Sequence, residues 1–155
     1  MRVLGVKRTP NPVPNVDEVY ASEDMDKALE QADFVVILVP ITPETIHLFN
    51  EDRFNKMKKG SYLINVGRGP VVDEKALVKA LESGRLSGAA LDVAEVEPLP
   101  DDSPLWEMPN VFITPHTAAD SPYYLDRALE IFCRNVERFE KGEKLLNEIE
   151  PGAKY

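Results

Sequence analysis

Three side chains that could handle a small carboxylic acid lie at or after the ends of predicted strands. Arg68 lies between two glycines, so little bulk hinders a ligand that approaches its planar, permanently charged guanidinium. His116 follows a strand and a proline, and imidazole is the side chain that most readily exchanges a proton near neutral pH. Glu97 lies in an acidic loop. An arginine that holds a carboxylate and a glutamate that keeps a histidine protonated would serve the reduction of a 2-keto acid.

Each of these residues also has an ordinary structural interpretation. Arg68 could be a surface arginine in a glycine turn, His116 a packing or solvated histidine, and Glu97 a solvated charge. The combination is more informative than any one residue, but spacing in the sequence does not by itself prove the chemistry.

Apolar segments that alternate with helix-like segments predict a sheet that would position these residues. The segment FVVILV is apolar at every position, which predicts a central strand covered on both faces. About five strands joined by right-handed crossovers predict a Rossmann-like, doubly wound parallel sheet of the α/β class, which binds ligands beyond the carboxyl ends of its strands. The strands are predicted at residues 1–7, 34–39, 61–66, 86–93 and 111–114, with a brief extended piece at 19–21.

Capping residues predict the helices between these strands. Ser22 is a good N-cap for a helix over residues 23–31, Asn50 can cap a short helix that ends at Gly60, and Asp73 can cap another. The apolar positions that share one face of this last helix are Ala76, Leu77, Ala80 and Leu81.

A long helix over about residues 121–141 is predicted near the carboxyl terminus, because Ser121 is a good N-cap and Pro122 suits the first helical position. Its apolar stripe requires a partner surface. The stripe consists of Leu125, Ala128, Leu129, Phe132, Val136 and Phe139.

The composition excludes several classes of function. The chain has 155 residues, enough for one ordinary core, and 27 acidic against 18 basic residues, so its net charge of -9 disfavours nucleic acid as a partner. Cys133 is the single cysteine, and with His47 and His116 as the two histidines a multi-histidine metal site is excluded. Neither a signal pattern nor an apolar run of roughly 20 residues is present, which predicts a cytoplasmic protein that does not bind membranes.

Three long motifs cover most of the chain: VPITPETIHLFNEDRFNKMKKG, INVGRGPVVDEKALVKALESGRLSGAALDVAEVEPLP and NVFITPHTA. They resemble the signature region of the D-isomer-specific 2-hydroxyacid dehydrogenases, and the similarity continues through the predicted long helix. The resemblance implies an NAD(P)-dependent oxidoreductase that transfers hydride between its cofactor and a small 2-keto or 2-hydroxy acid.

By this resemblance Arg68, Glu97 and His116 form the catalytic site. Arg68 would bind the substrate carboxylate and polarise the neighbouring carbonyl, and His116 would give a proton to the forming alkoxide. Glu97 would pair with the imidazole, so that the acid is charged when the keto acid binds. Glu95 lies in the same loop, but only Glu97 has the offset from Asp92 that the family pattern requires.

The resemblance also implies a cofactor cleft in which Asp92 faces the nicotinamide. Lys7 and Arg8 stand at the end of the first strand, where NAD-preferring members usually have an acid for the ribose hydroxyls. Two cations there predict a preference for NADP(H), because they would attract its 2'-phosphate. The other residues expected to line the cleft, beside His116, are Val39, Pro40, Val66, Gly67, Thr117 and Ala118.

The sequence departs from the family pattern at its start. Members carry a strand, a G-x-G-x-x-G loop and a helix before the segment that resembles MRVLGVKR, and the loop and helix normally hold the pyrophosphate. Because the missing strand is normally central, we expect unpaired backbone or an unusual strand partner. We expect residues 1–155 to form one partial dinucleotide-binding domain, a fragment that lacks the substrate lobe. We expect this fragment to be inactive alone. We also expect it to form a homodimer or a strand-swapped oligomer.

A second interpretation is a non-catalytic nucleotide-sensing or protein-interaction module derived from the same fold, since the phosphate loop is missing. The complete set of Arg68, Glu97 and His116 favours enzyme ancestry. The acid itself is undetermined, and glyoxylate, hydroxypyruvate, lactate-type and phosphoglycerate-type substrates all remain open.

Overall fold

In the residues that the structure describes, six strands and three of the four α-helices belong to the first of two units. A computed structural model describes residues 1–149, with one unit over Met1–His116 and the other from Thr117 onwards. The strands are β1 (Leu4–Lys7), β2 (Glu18–Ala21), β3 (Phe34–Ile37), β4 (Ser61–Asn65), β5 (Leu86–Leu91) and β6 (Val111–Ile113). The helices are α1 (Met25–Leu29), α2 (Glu51–Lys56), α3 (Glu74–Glu82) and α4 (Tyr124–Glu140). The predicted parallel α/β class is confirmed. That residues 1–155 form one partial domain stays a prediction.

Every strand pair is parallel, and the strands form two sheets. β1 pairs with β2, while the second sheet has the order β3-β4-β5-β6. Asn65 is level with Ile37 on one side and Leu91 on the other, and Leu91 is level with Ile113. The carboxyl ends of β3 to β6 therefore meet at one edge. Within residues 1–149, no strand joins β1 to β3, which agrees with the expected interruption of the sheet.

One face of the four-stranded sheet packs against α2 and α3. Leu63 of β4, Phe54 of α2 and Leu77 of α3 are at most 1% exposed and belong to one continuous apolar cluster. The four apolar positions predicted for α3 are all buried. Burying a side chain of this size stabilises the fold by about 1.5–3 kcal/mol, so this face holds the strand ends in place.

The prediction that FVVILV is a central strand covered on both faces is wrong. β3 is an edge strand of its sheet, with Val35 and Ile37 buried but Phe34 and Val36 59% and 51% exposed. An apolar run shows that both faces tolerate burial. It does not show which element packs on each face, and in the described residues the face that carries Phe34 and Val36 is exposed.

Two of the predicted caps are present. The side chains of Asn50 and Asp73 accept hydrogen bonds from the N–H groups of Arg53 and Ala76, so they cap α2 and α3. The other two predicted N-caps, Ser22 and Ser121, are wrong.

Ser22 and Ser121 do not cap helices. Ser22 lies inside a 3-10 turn over Ser22–Asp24, and the α1 that follows is only five residues long. Ser121 instead closes a turn, in which its carbonyl accepts from the N–H of Tyr124, so α4 begins three residues later than the serine.

The second unit contains α4. The predicted stripe is present along it, and its large apolar members are exposed, from 42% for Val136 to 76% for Phe139. Among residues 1–149, no helix is both long enough and apolar enough to cross a bilayer.

Candidate active site

The segments that follow β4, β5 and β6 bring the three candidate catalytic residues to the same edge of the sheet. Arg68 comes three residues after the last residue of β4, Glu97 six residues after that of β5, and His116 three residues after that of β6. Because these strands are parallel and in register, their carboxyl ends converge. Residues far apart in the sequence are thereby placed around one rim.

Glu97 and His116 form a hydrogen-bonded pair. Glu97 Oε2 lies 2.8 Å from His116 Nδ1, and its Oε1 accepts from the N–H of Ala94 at 3.2 Å. Both side chains remain partly exposed, at 41% and 49%. The pair therefore remains accessible to solvent.

The backbone of His116 is held in an unusual conformation. Its φ is +56°, in the left-handed region that residues other than glycine rarely adopt, while its N–H donates to the carbonyl of Thr114. Such strain is typical of functional sites, where the surrounding structure fixes a side chain in one direction. The imidazole is thereby directed to Glu97.

The charge of Glu97 is stabilised by its surroundings. The hydrogen bond with His116 is the largest cause that lowers the pKa of the Glu97 carboxyl below its usual range, against a smaller effect of burial that raises it. The Ala94 N–H and the charges of His116 and Arg68 lower this pKa further. Arg68 is thus near enough to act electrostatically on the pair.

Asn65 shapes the turn that carries Arg68, and the sequence reasoning missed it. Its side chain is 1% exposed, accepts from the N–H of Gly67 and donates to the carbonyl of Arg68, both at 3.1 Å. Arg68 is itself exposed and donates to the carbonyl of Gly67. A polar residue at the end of a buried strand was the available signal, because buried polar groups require partners.

Asp92 lies under the rim. It is 5% exposed, its carboxylate accepts from the hydroxyl of Thr114 at 2.5 Å, and its N–H donates to the carbonyl of Asn65. It therefore links the ends of β4, β5 and β6. Its predicted contact with nicotinamide stays a prediction.

A cavity of about 490 Å³ opens beside the pair. Arg68 is not among its walls, so the guanidinium lies outside this cavity while the carboxylate and the imidazole border it. The walls include Asp92, Glu97, Leu99, Trp106, Thr114 and His116.

The remaining predicted cofactor residues fall into three places. Val39, Pro40, Val66 and Gly67 lie at the adjoining ends of β3 and β4. Lys7 and Arg8 are exposed at the end of β1, which belongs to the other sheet. Thr117 and Ala118 belong to the second unit.

Comparison with known proteins gives a consistent result. Residues 1–118 match the family model of the D-isomer specific 2-hydroxyacid dehydrogenase, NAD binding domain. Among curated relatives, a glyoxylate reductase of Thermofilum pendens is 50% identical over 131 residues, which are 84% of this chain and 38% of that protein. Glyoxylate/hydroxypyruvate reductase B of Escherichia fergusonii is 57% identical over 105 residues, 66% of this chain and 32% of that protein.

Solved structures share the fold. A D-isomer specific 2-hydroxyacid dehydrogenase from Xanthobacter autotrophicus Py2, in complex with NADPH and MES, superposes with a TM-score of 0.87 at 43% identity. The match covers 96% of this chain and 60% of that one. The chain thus spans about a third to three fifths of the length of these proteins.

Proposed function

Since the chain belongs to the D-isomer specific 2-hydroxyacid dehydrogenase family, we propose that it forms the cofactor side of an active site that reduces a small 2-keto acid with NAD(P)H. The observation that carries the proposal is the 2.8 Å pair of Glu97 and His116 at the rim that also bears Arg68. Relatives named as glyoxylate or hydroxypyruvate reductases support a 2-keto acid of two or three carbons.

The contact between His116 and Glu97 supports one ring nitrogen as the proton donor. Because Nδ1 of His116 faces Glu97, the other ring nitrogen, Nε2, is the donor to the alkoxide that forms on the substrate. The group that holds Nδ1 is the Glu97 carboxylate, whose own pKa lies below its usual range chiefly because of this hydrogen bond. Arg68 binds the substrate carboxylate with its guanidinium. A bound reduced nicotinamide would supply the hydride to the carbonyl carbon.

The end of β1 supports a dinucleotide that carries a 2'-phosphate. Lys7 and Arg8 offer two exposed cations at the end of β1, which suits the 2'-phosphate of NADP(H). The sequence contains no G-x-G-x-x-G motif to hold the pyrophosphate.

The test of this function is reduction of glyoxylate and hydroxypyruvate by the polypeptide that carries this chain, followed as NADPH oxidation. We expect turnover that Arg68→Lys reduces strongly, because lysine cannot reproduce the bidentate grip on a carboxylate. The 155-residue chain alone is expected to give little turnover. Binding of NADP(H) without turnover in every polypeptide that contains the chain would favour the nucleotide-sensing alternative.

We also propose that the chain associates through its interrupted sheet, as a homodimer or a strand-swapped oligomer. In the described residues β1 and β3 each pair on one side only, and exposed backbone of this kind recruits further strands. Light scattering of the purified chain tests this, and a monomer at all concentrations contradicts it. The cytoplasmic location stays a prediction.

A further inference from the structure

Glu95, which has no part in the proposed mechanism, joins three segments of the chain. Its Oε1 lies 2.8 Å from His47 Nε2, and its Oε2 accepts from the N–H of Glu74 at 3.2 Å. In return, the N–H of Glu95 donates to the Glu74 carboxylate. The loop that carries Glu97 is therefore tied both to the segment before α2 and to the first residue of α3.

Glu95 acts on the Glu74 carboxyl in two opposite ways. Burial is the main cause that raises the pKa of the Glu74 carboxyl, and the negative charge of Glu95 also raises it, whereas the hydrogen bond from the Glu95 N–H lowers it. The two residues are held together by backbone N–H groups that donate to a carboxylate in both directions.

The backbone around this cluster brings the Arg68 turn against the Glu97 loop. The N–H of His47 donates to the carbonyl of Pro70, and His47 has a φ of +49°, which is rare for a residue other than glycine. A Cβ added to Gly69 would lie 1.6 Å from the carbonyl oxygen of Ala94. The residues next to Arg68 and next to Glu95 therefore touch, and His47 contacts both sides of this junction.

We propose that Glu95 is a positioning residue: with His47 it clamps the loop that carries Glu97 to the turn that carries Arg68. The clamp fixes the separation between the guanidinium and the Glu97–His116 pair. The need for a fixed separation rests on the proposed function, because one substrate must reach the guanidinium and the imidazole together.

The first test compares the pKa of Glu97 in the wild-type chain, Glu95→Ala and Glu95→Gln, from the ¹³C shift of its carboxyl during a pH titration. The low pKa of Glu97 depends on His116, the Ala94 N–H and Arg68, so a loosened loop should raise it toward its ordinary value. Loss of the Glu95 charge alone would act in the opposite direction, because it removes a repulsion. We expect a rise in Glu95→Ala and a smaller one in Glu95→Gln, whose side-chain oxygen can still accept from Glu74.

A matched pair at position 47 keeps the test valid if the Glu95 variants fail to fold. His47→Gln retains a side-chain donor to Glu95, whereas His47→Ala loses it, and both substitutions leave the residue uncharged. We expect the pKa of Glu97 to rise more in His47→Ala than in His47→Gln. Asp102→Asn, in an exposed turn of the following loop, is the control. An unchanged or lowered pKa of Glu97 in folded Glu95→Ala, or equal values in the two His47 variants, overturns the proposal.

A second readout concerns catalysis in the polypeptide that turns over keto acid. Glu95→Ala should lower kcat/KM by about 10-fold to 100-fold, since a displacement of about 1 Å in a site can cost about 100-fold. Glu95→Gln should recover part of the loss. The titration requires no turnover, so an inactive enzyme and an absent clamp are distinguished.

Discussion

At the scale of single residues, the contact between Glu97 and His116 determines how each side chain can act. Glu97 holds one ring nitrogen of His116, and Arg68 acts on the pair through charge. Under the proposed function, the other ring nitrogen would serve the substrate. The sequence motif named these residues, and the convergence of parallel strand ends explains why they lie at one rim. Their catalytic roles stay a prediction. The motif was not sufficient to find Asn65 or Glu95, whose roles depend on which loops touch.

Replacing the imidazole should affect both chemistry and charge. His116→Gln removes the proton donor, so kcat in the active polypeptide should fall by about 100-fold to 10,000-fold. The pKa of Glu97 should rise in the same variant, because the hydrogen bond with His116 is the largest cause of its decrease. Carboxyl ¹³C titration and NADPH oxidation measure the two effects. A normal rate in His116→Gln contradicts the assignment.

The Glu97 pair should make a small, pH-dependent contribution to stability. Because the pKa of folded Glu97 lies below its ordinary value, the contribution is present above the unfolded pKa and is lost as the pH falls through the folded pKa. The pair is half exposed, so Glu97→Gln should cost no more than about 1 kcal/mol at pH 6. Urea unfolding at pH 6 and pH 3 should show the difference between the two proteins shrinking at the lower pH.

At the scale of secondary structure, the elements that pack on the core were the ones that sequence predicted well. For α3, an N-capping side chain and an apolar face indicate the same boundaries. For α2 the predicted cap is right, but the helix ends at Lys56 and not at Gly60, because Met57 is already extended. For α1 and α4 the serines compete with turns of their own, and a capping residue alone could not decide between a 3-10 turn and a helix start. β3 was misread because an apolar run does not reveal which element covers it.

The cap of α3 provides a direct test at this scale. Asp73→Ala should lower the free energy of unfolding by about 0.5–2 kcal/mol, since the Ala76 N–H loses its acceptor. Asp73→Ser keeps an acceptor and should lose less. Urea denaturation with far-UV circular dichroism measures both variants, and equal stabilities for Ala and Ser would show that the cap contributes nothing.

At the scale of the whole molecule, the four-stranded sheet presents an apolar surface in the described chain. Phe34, Val36, Tyr62 and Phe112 are between 43% and 67% exposed, on strands whose alternate residues form the core. Surfaces of this kind mark sites of association. In β3 the sequence does not distinguish this face from the buried one, because FVVILV is apolar at every position.

A charge on this surface should suppress self-association. Val36→Lys places a cation on an edge strand, which natural sheets use to prevent pairing with further strands. Val13→Lys, in a loop outside both sheets, is the control. Light scattering should give a lower mass for Val36→Lys than for the wild type and for Val13→Lys. The same mass for all three proteins would place any interface elsewhere.

β1 and β2 lie outside the larger sheet, so we expect this strand pair to open more often than the rest of the fold. A pair of four-residue strands is marginally stable by itself, and α1 is the helix that packs against both strands. Amide protons of Val6 and Tyr20 should therefore exchange with deuterium faster than those of Leu63 and Ala89. The end of the chain that bears Lys7 and Arg8 would then sample unfolded conformations while the catalytic rim remains intact, and a bound nucleotide phosphate would slow that exchange.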